Sequence, residues 1–68
     1  MKLSLKIGPS KKMEKLVESV GWTYLRPGPG SHKIFEHPDF NYHISIPYSR
    51  KDMDKGMWNK LLKQAGLK

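Results

Sequence analysis

Apolar residues recur at helical spacing in two segments, one near each end of the chain. In the first segment, the spacing i, i+3, i+4, i+7 places four apolar side chains on one helical face: Met13, Leu16, Val17 and Val20. This pattern predicts a helix from Lys11 to Val20. Ser10 is the expected N-cap, and Gly21 is the expected left-handed stop.

The second segment carries the same kind of stripe in four residues: Trp58, Leu61, Leu62 and Ala65. We predict a helix that begins at Asp52 or Asp54 and runs to Ala65, because an aspartate is a favourable helix start. Gly66 is expected to end it.

The region between the helices alternates aromatic or β-branched residues with turn residues, which is typical of short strands. Three strands are predicted, at Trp22–Arg26, His32–Glu36 and Tyr42–Ile46. The proline- and glycine-rich run 27–30 is expected to hold neither helix nor strand, and 37–41 is expected to form a second turn. Pro47 should close the third strand, because proline cannot donate to a sheet ladder.

The predicted order is therefore α-β-β-β-α, an α+β fold with a three-stranded antiparallel sheet and two helices on one face. Residues 10–68 are expected to form a single domain, preceded by a basic N-terminal arm at residues 1–9. If Ile44 and Ile46 face the helices, Tyr42 does too and His43 faces away. With Phe35 also inward, His32 lies on the accessible face of the sheet.

The charge of the chain indicates a polyanionic partner. Thirteen Lys and Arg against six Asp and Glu give a net charge of +7 on 68 residues, and phosphate backbones attract such a surface without reading sequence. The expected phosphate contacts are Lys11, Lys12, Lys15, Arg50 and Lys51. Charge alone leaves two alternatives open, namely solubility and attraction to an acidic protein.

The chain has no cysteine, so we expect a protein of the reducing cytoplasm, without disulfides. The start is basic and never enters the apolar run of a secretory signal, so neither export nor membrane insertion is expected. The ligand spacings HxH and HExxH are both missing, so no metal or other cofactor is expected.

His32 is the histidine best placed for chemistry, because it follows a glycine turn where a side chain stays reachable by solvent. An imidazole can act as base or acid near neutral pH. Removing the proton of a ribose 2′-hydroxyl needs such a group, and positive charge nearby would stabilise the transition state. The alternative is that His32 only hydrogen-bonds across the turn. His37 is most simply a turn residue, and His43 a solvent-facing strand residue.

The order of these features resembles the HicA family of toxin endoribonucleases, from about Lys15 to Leu67. The matching pieces are Leu16–Trp22, Arg26, Gly30–Phe35, His37–Asp39, Ile44–Pro47 and Leu61–Leu67. The resemblance implies a double-stranded-RNA-binding-like fold, cleavage of mRNA and neutralisation by a HicB-like antitoxin that covers the region of His32. It also implies that His32 is the catalytic residue. Ser31 and Lys33, beside it in the chain, are expected RNA contacts.

The chain departs from the family pattern at Ser49, where many relatives carry a second histidine. If that histidine assists catalysis in relatives, this chain reacts more slowly or relies on His32 alone. The turn at Pro27–Pro29 is also a residue longer than usual. Two rival functions remain at this point: a non-catalytic RNA-binding module, and a domain that only binds an acidic protein.

Overall fold

The computed structural model describes residues 4–47 and 51–68. Within them the chain forms two helices and one three-stranded antiparallel sheet of order β1-β2-β3. This confirms the predicted α+β order. The elements are α1 (Ser10–Ser19), β1 (Thr23–Gly28), β2 (His32–Glu36), β3 (Ile44–Pro47) and α2 (Lys55–Gln64).

Helix α1 begins one residue earlier than predicted, so the assignment of Ser10 as N-cap is wrong. Pro9 holds that position with an extended backbone (φ −75°, ψ 168°), and its carbonyl accepts from the N–H groups of Lys12 and Met13 at 3.0 and 3.3 Å. Proline supplies the fixed φ that a helix entry needs. Ser10 is the first helical residue and is fully buried. Gly21, with φ +101°, confirms the predicted stop.

Strand β1 runs through Pro27 and Gly28, contrary to the expectation that residues 27–30 would exclude a strand. The reason is its position at the edge of the sheet. An edge strand tolerates proline because one side of its backbone needs no ladder partner. Pro27 lies opposite Lys33, and the pairing register shifts between Tyr24 and Arg26.

Strand β2 has the predicted bounds, whereas β3 begins two residues later than predicted and includes Pro47. Tyr42 therefore lies outside the strand rather than among its inward residues. Its hydroxyl donates to the carbonyl of Gln64 at 2.7 Å, so Tyr42 ties the chain before β3 to the end of α2. Pro47 is accommodated because β3 is also an edge strand.

One cluster of buried apolar side chains joins both helices to the sheet. Two indole N–H groups in it find carbonyl partners: Trp22 donates to Ala65 at 3.1 Å, and Trp58 donates to Leu5 at 3.0 Å. A buried donor without a partner costs about 1–3 kcal/mol. These two bonds therefore hold the backbone at Leu5 and at Ala65 against the core.

Helix α2 begins after Asp54, one of the two predicted starts. The Asp54 carboxylate accepts from the Met57 N–H at 3.1 Å, as expected for an N-cap. Before α2, the Met53 N–H donates to the carbonyl of Gly8 at 3.3 Å. The described part of the N-terminal arm therefore lies against the fold. The Gly8 carbonyl accepts from the Met53 N–H, and the Leu5 carbonyl accepts from the Trp58 indole.

The sheet has two different faces. Cross-strand pairing puts Phe35 opposite Ile44 and Lys33 opposite Ile46, so these four side chains share one face, which we call the covered face. Lys33 Nζ lies 3.1 Å from Glu14 Oε1 of α1. The other face, called the open face, carries His32, Ile34 and Ser45 by the same pairing.

Neither described helix is long and apolar enough to cross a membrane.

Candidate active site

His32 is the first residue of β2, opposite Gly28 of β1. The three residues between the strands make a tight turn in which Gly30 has φ +68° and Ser31 has φ +61°. Positive φ is ordinary for glycine but costs energy in serine, and such residues concentrate at functional sites. The turn delivers His32 to the open face, half-buried, as the inward position of Phe35 predicted.

The His32 ring is held at one nitrogen. Nδ1 lies 3.1 Å from the carbonyl oxygen of Pro29. A carbonyl only accepts, so Nδ1 carries the proton and the lone pair of the neutral ring lies on Nε2. The hydrogen bond across the turn, which stood as the alternative to catalysis, is thus present. It orients the ring and leaves Nε2 as the basic nitrogen.

A cleft of about 340 Å³ opens beside His32, between β3 and α2. Its polar side chains are His32, His43 and Ser45 on the sheet side, and Lys60 and Gln64 on the helix side. The apolar part of its wall is formed by Pro47, Met57 and Leu61. The cleft therefore combines an imidazole, a cation and hydrogen-bonding groups in one concave site.

Two of the predicted RNA contacts are engaged elsewhere in the fold. Lys33 pairs with Glu14 on the covered face, away from His32. Lys12 Nζ donates to the Lys6 carbonyl at 2.6 Å and lies 5.8 Å from the centre of the Trp58 ring. Both lysines therefore stabilise packing around α1.

Of the remaining predicted contacts, the four that the structure describes are exposed but lie outside the cleft. Lys11 and Lys15 lie on α1, the helix that carries the Glu14 partner of Lys33 on the covered face. Lys51 precedes α2, and Ser31 lies in the turn directly before His32. Arg50 and Ser49 lie outside the described residues.

The side chains of His37 and His43 have different surroundings. The His37 Nε2 lies 2.9 Å from the Val20 carbonyl, and its Nδ1 accepts from the Asp39 N–H at 3.0 Å. Both ring nitrogens are thus used, which confirms His37 as a turn residue. The side-chain hydrogen bond across this turn is made by the His37 ring. His43 is exposed, as predicted, but it precedes β3 rather than lying in the strand, and it lines the cleft.

Sequence reasoning missed Lys60 and Gln64 as neighbours of His32. The signal was available, because four cleft residues of α2 have the spacing i, i+3, i+4, i+7: Met57, Lys60, Leu61 and Gln64. This stripe lies beside the core stripe of Trp58, Leu61, Leu62 and Ala65 and shares Leu61 with it, so the core pattern hides it.

Among residues 4–47 and 51–68, no three His, Asp or Glu side chains converge in a group able to hold a metal ion.

The fold and the cleft together define a small basic α+β protein with one oriented, accessible histidine beside a lysine. The family model described as the HicA toxin of bacterial toxin-antitoxin systems matches residues 10–67. The chain therefore belongs to the HicA toxin family, as the sequence resemblance implied. A search of the curated proteins found no match.

Proposed function

We propose that this protein is a toxin that cleaves mRNA as a metal-independent endoribonuclease, with His32 as its catalytic base. The observation that carries the proposal is the His32 ring, whose Nδ1–H is engaged by the Pro29 carbonyl, at the wall of a cleft that Lys60 also lines. Family membership supports the toxin assignment.

The chemistry is an attack of the ribose 2′-oxygen on the adjacent phosphorus. Nε2 of His32 takes the 2′-hydroxyl proton, the new P–O bond forms, and the bond from phosphorus to the 5′-oxygen breaks. The departing 5′-oxygen takes a proton from a solvent water, protonated Nε2 returns its proton to the solvent, and the other product is a 2′,3′-cyclic phosphate. A well-placed general base contributes roughly 10²–10⁴-fold in rate. Lys60 supplies positive charge beside the cleft, where the phosphate gains negative charge.

The excess positive charge of the chain would bring RNA to this site. Exposed Lys11, Lys15 and Lys51 are proposed as non-specific phosphate contacts, together with Arg50, and Ser31 as a contact beside the catalytic ring. Binding that rests on such contacts weakens as the salt concentration rises. We place the action of the protein in the cytoplasm, where mRNA is translated.

The protein partner is proposed to be a HicB-like antitoxin that covers the cleft. HicA toxins are members of toxin-antitoxin systems, so a partner that silences the toxin is required. Covering His32 and Lys60 would block both the base and the approach of RNA. Contacts to the antitoxin should therefore protect this part of the open face from solvent.

Incubation of the purified protein with single-stranded RNA in EDTA tests the proposal. We expect cleavage by the wild type, fragments ending in a cyclic phosphate, and loss of cleavage in His32→Ala. Glu36→Ala is the matched control, because Glu36 is an exposed residue at the other end of β2. Wild-type-like cleavage by a folded His32→Ala variant would refute the catalytic role.

The second candidate is a non-catalytic RNA-binding module, which the charge and the cleft would also fit. The same experiment separates the two functions. Salt-sensitive binding of RNA without any cleavage would favour the module.

A further inference from the structure

We propose that the cleft beside His32 is a subsite for one unpaired nucleotide, in which Lys60 binds its phosphate, His43 stacks on its base and Gln64 reads the base edge. The inference rests on the proposed function and extends it to the selection of the cleavage site. It assigns Lys60 a contact to the phosphate of this nucleotide, in addition to its charge at the reaction, and it gives roles to two side chains, His43 and Gln64, that the cleavage chemistry does not itself require.

The dimensions of the cleft favour one nucleotide. Its volume of about 340 Å³ lies at the lower end of the range of roughly 300–1,000 Å³ for small-molecule sites. A base stacked within a duplex presents no free face to such a cleft. RNA recognition by proteins commonly uses unpaired bases that are splayed out and stacked on aromatic side chains.

The two histidines are attached at different positions along the cleft wall. His32 pairs with Pro47, and His43 precedes Pro47 by four residues. At about 3.3 Å per residue of extended chain, this offset is roughly 13 Å. The backbone of His43 is therefore offset from that of His32 along the cleft, which suits a contact to the nucleotide beside the scissile bond.

The groups between the two histidines match the parts of a nucleotide. Lys60 is exposed and cationic, as a phosphate contact requires, and the half-buried Met57 offers an apolar surface to a base. The His43 imidazole is an aromatic platform of the kind that stacks on bases. The Ser45 hydroxyl can donate to or accept from a sugar oxygen.

Gln64 is the group suited to discriminating between bases. Its amide offers an acceptor and two donors, so it can match a base edge. The Tyr42 hydroxyl donates to the Gln64 carbonyl at 2.7 Å, which fixes the backbone from which this side chain extends. A base without the matching edge would leave the amide unpaired.

Two measurements test the subsite. The first is binding of fluorescent single-stranded RNA, and of the same sequence in a duplex, to His32→Ala protein, which does not cleave. We expect tighter binding of the single strand. His43→Ala should weaken that binding about tenfold, while His43→Phe retains it, because loss of a stacked base is costly and a phenyl ring also stacks.

Lys60→Ala should weaken binding of all sequences alike and lower the slope of log K against log salt by about 1. Lys55→Ala is the matched control, because Lys55 is an exposed lysine of the same helix outside the cleft. An equal effect of Lys55→Ala and Lys60→Ala would contradict the assignment of the phosphate contact.

The second measurement maps cleavage sites in a randomised single-stranded RNA by sequencing the ends. Gln64→Ala should continue to cleave but lose base preference at one position next to the cut. Unchanged preference in Gln64→Ala, together with unchanged binding in His43→Ala, overturns the subsite. If the wild type cleaves no RNA, the proposed function fails instead, and the binding measurement still decides the subsite.

Discussion

The two ends of β2 each carry a histidine, and the two rings have opposite surroundings. His32 at the start uses one nitrogen for the Pro29 carbonyl, and its side chain lines a cleft. His37, just beyond the end, uses one nitrogen for Val20 and the other for Asp39, and packs 5.2 Å from the Trp22 ring. An imidazole with one free nitrogen can move a proton, whereas one with both nitrogens engaged holds chain segments together.

The largest expected effect separates the two rings by activity. His32→Gln should lower the cleavage rate by roughly 10²–10⁴-fold, because the catalytic base is lost. Its free energy of unfolding should change by no more than about 1 kcal/mol, since one partly exposed hydrogen bond is lost. RNA cleavage rates and urea unfolding measure both quantities. A similar rate loss in a folded His37→Gln variant would contradict the assignment of different roles to the two rings.

His37→Ala should produce the reverse pattern, with a loss of about 2–3 kcal/mol in the free energy of unfolding. The substitution removes the partner of the Val20 carbonyl and the acceptor of the Asp39 N–H, as well as ring contacts with Trp22 and Phe40. The cleavage rate per folded molecule should stay at the wild-type value. A large rate loss without destabilisation would indicate that His37, too, has a catalytic role.

Gly21→Ala tests how closely His37 is packed against the end of α1. A Cβ atom at Gly21 would lie 2.6 Å from His37 Nε2, and the backbone there has φ +101°. We expect a cost of about 2 kcal/mol in the wild type, but only about 1 kcal/mol in the His37→Ala background, where backbone strain remains alone. Unfolding of the two single variants and the double variant measures this coupling, and simple additivity would contradict it.

Ser31→Gly should have the smallest effect, and it should move stability and activity in opposite directions. Relief of the positive φ at Ser31 should stabilise the folded protein. The gain should be less than about 1 kcal/mol, because glycine also adds entropy to the unfolded chain, which opposes it. Loss of the proposed hydroxyl contact should lower cleavage by less than about tenfold. Ser31→Ala isolates the hydroxyl, and unchanged cleavage in that variant would remove Ser31 from the site.

Periodicity predicted the elements of the fold because each helix carries its apolar residues on one face, and this spacing can be read from a short stretch of sequence. The stripes of both helices, the bounds of β2 and the stops at glycine follow from spacing and backbone chemistry. The errors in the strands lie where the position of a strand within the sheet decides the outcome. Pro27 and Pro47 entered strands because β1 and β3 are edges. Position in a sheet depends on pairing, which residue type alone does not encode.

The candidate site was predictable only in part, for the same reason. His32 could be singled out from its glycine turn and from the family motif, and strand parity placed it on the open face. The spacing of Lys60 and Gln64 places them on one face of α2, but it does not show that this face lies beside His32, because the two residues are about 30 positions away in the chain. Their approach depends on how that helix packs beside β3. The roles of Lys12 and Lys33 in packing likewise depend on tertiary contacts.

The two indole bonds give the protein separate optical reporters of its two termini. Trp58 reports on the arm, through the carbonyl of Leu5, while Trp22 reports on the last turn of the chain, through Ala65. Replacing either indole by phenylalanine leaves one emitting ring. Fluorescence from such single-tryptophan proteins would therefore distinguish detachment of the N-terminal arm from fraying at the C-terminal end of the chain.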